Sequence, residues 1–113
     1  ESGRADAFVM DDNILAGLIA NAKNPKDFAI VGEVLSVEPI ALMLRRDDPA
    51  MKKLVDDSIR EQIKSGALEK LYARWFTAPI PPRNNSVGLP MGATLKSLLG
   101  APNDRPMEDY LKK

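Results

Sequence analysis

The first third of the chain alternates between short apolar runs and a helical pattern. Residues 5–10 are almost continuously small or apolar, which predicts a buried strand. A helix follows, because its apolar residues recur three or four positions apart: Ile14, Leu15, Leu18 and Ile19. Pro25 prevents the helix from continuing, and residues 28–31 predict a second strand. The order strand, helix, strand is the β-α-β unit from which parallel sheets are built.

The middle of the chain predicts a third strand and two helices. Residues 35–40 have an extended character, and the apolar run 41–44 follows them. A long helix begins at the Asp48-Pro49 pair, with its apolar face formed by Met51, Leu54, Val55, Ile59 and Ile63. Gly66 is a natural C-cap, and a further helix over 67–76 should turn four side chains inward: Leu68, Leu71, Tyr72 and Trp75.

The end of the chain is poor in regular patterns. Residues 79–82 predict extended, polyproline-like chain, and a short helix is expected near 93–99. Three short strands with long helices make an incomplete α/β structure, because parallel strands must be covered on both faces. The pattern is therefore typical of the C-terminal portion of something larger.

Composition limits the classes of function. The 113 residues allow one domain at most, with 44% hydrophobic and 28% charged residues, as in ordinary soluble proteins. Sixteen basic and sixteen acidic residues cancel, which argues against a nucleic-acid partner and a polybasic membrane anchor. Cysteine and histidine are both absent, so disulfides, thiol metal sites and the commonest general base are excluded. No apolar run reaches a membrane span. No signal peptide is visible, which does not exclude export, because a mature or a truncated chain would look the same.

Two adjacent carboxylates, Asp11 and Asp12, end the first predicted strand. Open α/β sheets bind ligands at the carboxyl ends of their strands, and an acid there suits a cation such as the α-ammonium of an amino acid. One carboxylate can cap the following helix while the other binds the ligand. A hydrolytic dyad is disfavoured, because neither histidine nor a third acid lies nearby in sequence.

Other candidate groups have simpler interpretations. Arg45 and Arg46 could hold an anion, but ordinary surface ion pairs are favoured at this position. Tyr72, Trp75 and Phe76 could form an aromatic platform, although their helical spacing beside leucines favours packing in a core. No glycine-rich phosphate cradle is present in the sequence.

Several segments, in this order, resemble the polar amino-acid binding proteins of bacterial ABC importers. They are residues 3–12 (Gly-Arg-Ala-Asp-Ala-Phe-Val-Met-Asp-Asp), 41–49 (Ala-Leu-Met-Leu-Arg-Arg-Asp-Asp-Pro) and 71–76 (Leu-Tyr-Ala-Arg-Trp-Phe). Residues 79–84 (Pro-Ile-Pro-Pro-Arg-Asn) narrow the resemblance to the glutamate/aspartate periplasmic binding subfamily. The resemblance implies the C-terminal part of a two-lobed, type 2 periplasmic binding fold, which closes like a hinge on one amino acid.

The resemblance also implies a division of the chain. Residues 1–36 would belong to lobe 2, residues 37–40 to an interlobe crossing and residues 41–78 to lobe 1. Residues 79–113 would be a tail that packs on lobe 1 or is partly mobile. The ammonium-binding carboxylate of the family falls on Asp11, whereas the family's arginines and hydroxyl residues that hold the ligand carboxylates lie upstream and have no counterpart here. Ile40 stands where the family often has an aromatic residue.

The function implied is that of a solute-binding component of an ABC importer for glutamate or aspartate, in the periplasm, present here as a fragment. No catalysis, cofactor or metal is expected. The partners implied are an acidic amino acid, in the complete protein only, and an inner-membrane ABC permease. Alone, the chain should not bind its ligand, because the anionic groups of a zwitterion would stay unpaired. A free-standing oligomeric interaction module, completed by self-association or strand exchange, is the alternative.

Overall fold

A computed structural model describes residues 2–111 of the chain, with side chains for residues 2–110, as a largely helical molecule. Its elements in order are helix α1 (Asp12–Ala20), a 3-10 turn (Pro25–Asp27), α2 (Pro49–Lys64), α3 (Ala67–Tyr72), a π-helix (Ala73–Thr77), α4 (Ala93–Gly100) and α5 (Glu108–Leu111). The described residues form two compact units. One contains the residues up to Val31 together with Tyr72–Pro90, and the other contains Gly32–Leu71 together with the residues from Met91 onward.

The three predicted strands, 5–10, 28–31 and 41–44, are not formed among the described residues, so this structure does not confirm the predicted β-α-β unit and α/β sheet. Among residues 2–111, β-pairing is confined to one isolated antiparallel bridge between Ile80 and Asn85. A parallel strand obtains its hydrogen bonds from neighbouring strands and needs cover on both faces. The apolar runs have neither here, and their side chains remain exposed.

Helix α1 forms where its apolar spacing predicts it. The helix begins after Asp11 and closes with hydrogen bonds from the Asn21 and Ala22 amides to the Leu18 and Ile19 carbonyls, at 3.2 and 3.0 Å. Ala16, 6% exposed, is the one buried residue in the described part of the chain. The apolar face of α1 is therefore only partly covered.

The predicted ends of α2 are confirmed. The Asp48 side chain caps the helix by accepting a 2.9 Å hydrogen bond from the Met51 amide, an interaction that contributes about 1 kcal/mol to helices generally. At the other end, Gly66 has φ +72° and donates its amide to the Ile63 carbonyl at 3.0 Å. Only glycine adopts this left-handed conformation without strain, which lets α3 start in a new direction.

Exposed ion pairs cover one side of α2. Lys52 contacts Asp56 at 2.7 Å, one helical turn away, and also Asp104 at 3.0 Å, in the segment before α5. Lys53 pairs with Asp57 in the same way along the helix. Surface pairs of this kind add little stability individually, so the Lys52–Asp104 contact matters mainly because it ties a distant segment to α2.

The Lys52–Asp104 pair makes a pH-dependent contact. The hydrogen bond that Lys52 donates to Asp104 holds the pKa of the Asp104 carboxyl below its ordinary value. The pKa of Lys52 is raised by the bonds that it donates, first to Asp56 and then to Asp104. A carboxyl with a depressed folded-state pKa stabilises the fold above its unfolded pKa, and this contribution disappears as the pH falls through the folded value. We expect Lys52→Met to return the pKa of Asp104 toward its ordinary value in a carboxyl NMR titration. The control, Lys53→Met, should leave the pKa of Asp104 unchanged. The same pKa of Asp104 in the unsubstituted chain and in both variants would contradict the contact.

Candidate functional site

Asp11 occupies the N-cap position of α1. Its backbone carbonyl accepts a 2.9 Å hydrogen bond from the Leu15 amide, which fixes the residue to the first turn of the helix. Its side chain makes no capping hydrogen bond and is exposed. The N-terminal end of a helix carries partial positive charge. Asp11 therefore presents, at this end, a carboxylate that the helix itself does not use.

Asp12 is the first residue of α1 and has different surroundings. Burial is the main cause that raises the pKa of the Tyr72 hydroxyl, and the negative charge of Asp12 raises it further. The fold thus brings Asp12 near the start of the π-helix, although the two residues are far apart in sequence. The amide of Ile14 bonds to the Asn13 side chain at 2.8 Å, so Asp12 is not the capping group for that amide either.

Three aromatic residues lie at and just beyond the end of α3: Tyr72 and Phe76 are half-buried, and Trp75 is exposed. The rings of Tyr72 and Phe76 stack at 4.5 Å between centroids, with an angle of 23° between their planes. Trp75 is 47% exposed, and the Arg74 guanidinium lies 5.3 Å from its ring centroid. The prediction that Trp75 and Leu71 turn inward is therefore wrong for this structure. The chain widens into a π-helix at Ala73–Thr77, which rotates the side chains away from regular α-helical positions.

Arg45 and Arg46 lie in the turn that precedes α2, and both are exposed. They belong to the second compact unit, whereas Asp11 belongs to the first. Their exposure agrees with the surface location that the sequence favoured, but neither arginine forms the expected ion pair within the described residues.

Residues 80–85 form a turn, called here the 80–85 turn. The sequence predicts extended chain over 79–82 instead, so this turn was missed. Hydrogen bonds close it from the Ile80 amide to the Asn85 carbonyl at 3.0 Å and from the Asn84 amide to the Ile80 carbonyl at 2.9 Å. Asn84 has φ 54°, a conformation that asparagine tolerates better than most residues. The Asn84-Asn85 pair after two prolines was the available signal.

The 80–85 turn contacts the C-terminal end of α1. The Asn85 side-chain amide donates to the Ala20 carbonyl at 3.2 Å, and the Arg83 guanidinium donates to the Asn21 side-chain oxygen at 3.3 Å. A shallow groove of about 230 Å³ runs between these residues, with Ile80, Pro81, Pro82 and Val87 as its apolar lining. These are contacts between residues more than sixty positions apart in sequence.

Neither a metal site nor a membrane-spanning helix is found among the described residues. Within residues 2–111, no group of three or more acidic, histidine or cysteine side chains is placed to hold a metal ion. None of the helices in the described part is both long and apolar enough to cross a membrane. The exposed carboxylate of Asp11 can accept hydrogen bonds from a cation such as an ammonium group.

No protein-family model matches the chain. Its similarity to individual proteins is high. It is 47% identical over 107 residues to the glutamate/aspartate import solute-binding proteins of Salmonella typhimurium and Escherichia coli, an alignment covering 95% of this chain and 35% of each of those proteins. It is also 44% identical over 108 residues to the L-glutamate/L-aspartate-binding protein of Pseudomonas aeruginosa, covering 96% of this chain and 36% of that protein.

The chain thus spans about a third of the length of the relatives that it matches. The resemblance found in the sequence is confirmed by these identities, which extend over nearly all of the chain. Over the residues that align, the chain is therefore similar to about a third of each of these glutamate/aspartate solute-binding proteins.

Proposed function

We propose that this chain forms the C-terminal part of a periplasmic solute-binding protein that delivers glutamate or aspartate to an inner-membrane ABC permease. The observation that carries the proposal is the identity of 44–47% over at least 95% of the chain to proteins named for binding these two amino acids. Binding and release require no covalent chemistry, so the absence of histidine and cysteine from the sequence is no obstacle. The permease contact belongs to the complete protein.

Asp11 is the residue of this chain that we assign to the ligand. Three features support the assignment: its carboxylate is exposed, makes no capping hydrogen bond, and lies at the positive end of α1. A charge-assisted hydrogen bond from the α-ammonium of the amino acid would satisfy it. The ligand's carboxylates need cationic and hydroxyl donors, which we assign to the remaining two thirds of the complete protein.

We assign the segments of this chain to the two lobes of a type 2 periplasmic binding fold. Residues 1–36 would contribute to lobe 2, which carries Asp11, and residues 37–40 would form a crossing between the lobes. Residues 41–78 would contribute to lobe 1, with residues 79–113 as the tail. In the complete protein, the apolar runs 5–10, 28–31 and 41–44 would acquire the neighbouring strands that they lack here.

Isothermal titration with glutamate and with aspartate tests the proposal. Two proteins are compared: the 113-residue chain, and a chimera in which this chain replaces the aligned third of the Escherichia coli relative. We expect saturable binding of both amino acids by the chimera and no measurable heat with the chain alone, because an isolated carboxylate leaves the ligand's anionic groups unpaired.

The controls separate folding from binding. Circular dichroism establishes that the chimera is folded, and the unmodified Escherichia coli relative reports that the assay works. Binding by the isolated chain with an affinity equal to that of the chimera would contradict the claim that most of the site lies elsewhere. A folded chimera that binds neither amino acid would contradict the proposed function.

A further inference from the structure

We propose that Asn85 is a positioning residue for the side-chain carboxylate of Asp11, the group that we assign to the ligand. This inference rests on the proposed function. The two residues lie at opposite ends of the same helix. Asp11 occupies the N-cap position of α1, and the Asn85 side chain donates to the Ala20 carbonyl at the C-terminal end of the helix, at 3.2 Å. Neither residue needs to touch the other for the helix to link them.

The last carbonyls of a helix have no partner within the helix, and other groups must satisfy them. In α1 this end is held by side chains from a distant segment. Asn85 supplies the donor for Ala20, and the cationic Arg83 bonds to the Asn21 side chain, which itself donates to the Gly17 carbonyl at 2.9 Å. A positive charge near the C-terminal end of a helix is favourable as well.

The residues that follow the 80–85 turn are hydrogen-bonded to the π-helix. The Ser86 hydroxyl donates to the Thr77 carbonyl at 2.8 Å, and the Leu89 amide donates to the Phe76 carbonyl at 3.0 Å. The turn is therefore bonded to α1 through Arg83 and Asn85, and the residues directly after it are bonded to the π-helix. The turn can act as a support because the chain that follows it is held in place.

A fixed support at one end of α1 determines the location of the other end. Nine residues make a helix about 13 Å long, so a tilt of a few degrees moves the far end by about 1 Å. Binding sites need their groups held within about 0.5 Å of the productive geometry. Because the Asp11 side chain has no capping bond of its own, the direction of α1 sets where its carboxylate lies.

The test uses the affinity ratio between glutamate and glutarate, an analogue that lacks the α-amino group. The two ligands differ only in the α-ammonium group, so the ratio reports the contacts of that group, the proposed one with Asp11 among them, separately from the general integrity of the fold. In the chimera, we expect Asn85→Ala to lower the ratio about 3- to 10-fold, the change that corresponds to one net hydrogen bond. Asn85→Gln, which keeps the amide donor, should recover part of the ratio.

Asn24→Ala is the matched control, since Asn24 is an exposed asparagine beyond the same end of α1 whose side chain makes no capping hydrogen bond. It should leave the ratio unchanged. Arg83→Ala should also lower the affinity ratio. If Asn85→Ala does not fold, Arg83→Ala provides the test of the positioning role.

The outcomes separate this inference from the proposed function. A wild-type chimera that does not prefer glutamate, or whose preference survives Asp11→Asn, contradicts the assignment of Asp11 itself. A preference that depends on Asp11 but is unchanged in Asn85→Ala and Arg83→Ala overturns the positioning role. Equal losses for glutamate and glutarate also overturn it, because they indicate a purely structural effect.

Discussion

Substitution of Asp11 by asparagine in the chimera is expected to weaken glutamate binding by about 10- to 100-fold, the loss typical of a hydrogen bond to a charged group. The substitution keeps the size and shape of the side chain and removes its negative charge. The N-cap position is not disturbed, because asparagine is as good an N-cap residue as aspartate. A loss of affinity without a loss of helix therefore reports the ammonium contact, and isothermal titration measures it directly.

Asp12→Asn is the matched control for this prediction, because it removes an equal charge from the adjacent residue. The charge of Asp12 acts on Tyr72, whose pKa it helps to raise, so its removal should leave glutamate affinity within about twofold while lowering the pKa of Tyr72. The reverse result, a large loss with Asp12→Asn and none with Asp11→Asn, would assign the ligand to the other carboxylate. Unchanged affinity in both variants would remove this helix end from the site.

The features that could be predicted from sequence are those fixed by neighbouring residues. The start of α2 follows from Asp48 and Pro49 alone, and its end follows from Gly66, because caps act over three or four positions. Asp11 likewise lies at the start of α1, although its side chain does not make the capping hydrogen bond that the sequence allows for one of the two carboxylates. Its role toward a ligand stays a prediction, because a role depends on groups that the local pattern does not contain.

The features that could not be predicted depend on distant partners. The apolar runs 5–10 and 28–31 have the composition of strands, but a strand exists only when another chain segment supplies its hydrogen bonds. The contacts of the 80–85 turn with α1 join residues 62 and 65 positions apart, and no periodicity in the sequence encodes such a pairing. The π-helix at Ala73–Thr77 likewise departs from a pattern that favours a regular helix.

The largest effect on stability is expected at Ala16, the buried residue of α1. We expect Ala16→Asp to lower the free energy of unfolding of the chain by about 2–3 kcal/mol, because a carboxylate at this position loses water without gaining a partner and aspartate is a poor helix former. Urea unfolding followed by circular dichroism at 222 nm measures the change. A substitution this costly should also reduce the helical signal at zero denaturant.

Gly17, the next residue, provides the control because a change there should have the opposite sign. Gly17 lies in the interior of α1, and a Cβ added to it meets no atom within 4 Å. Gly17→Ala therefore restricts the unfolded chain without creating a clash, and it should stabilise the helix by about 0.5–1 kcal/mol. Neighbouring substitutions with opposite effects would establish that α1 is folded and buried along one side only. Destabilisation by both would contradict this, because it would mean that the face containing Gly17 is covered as well.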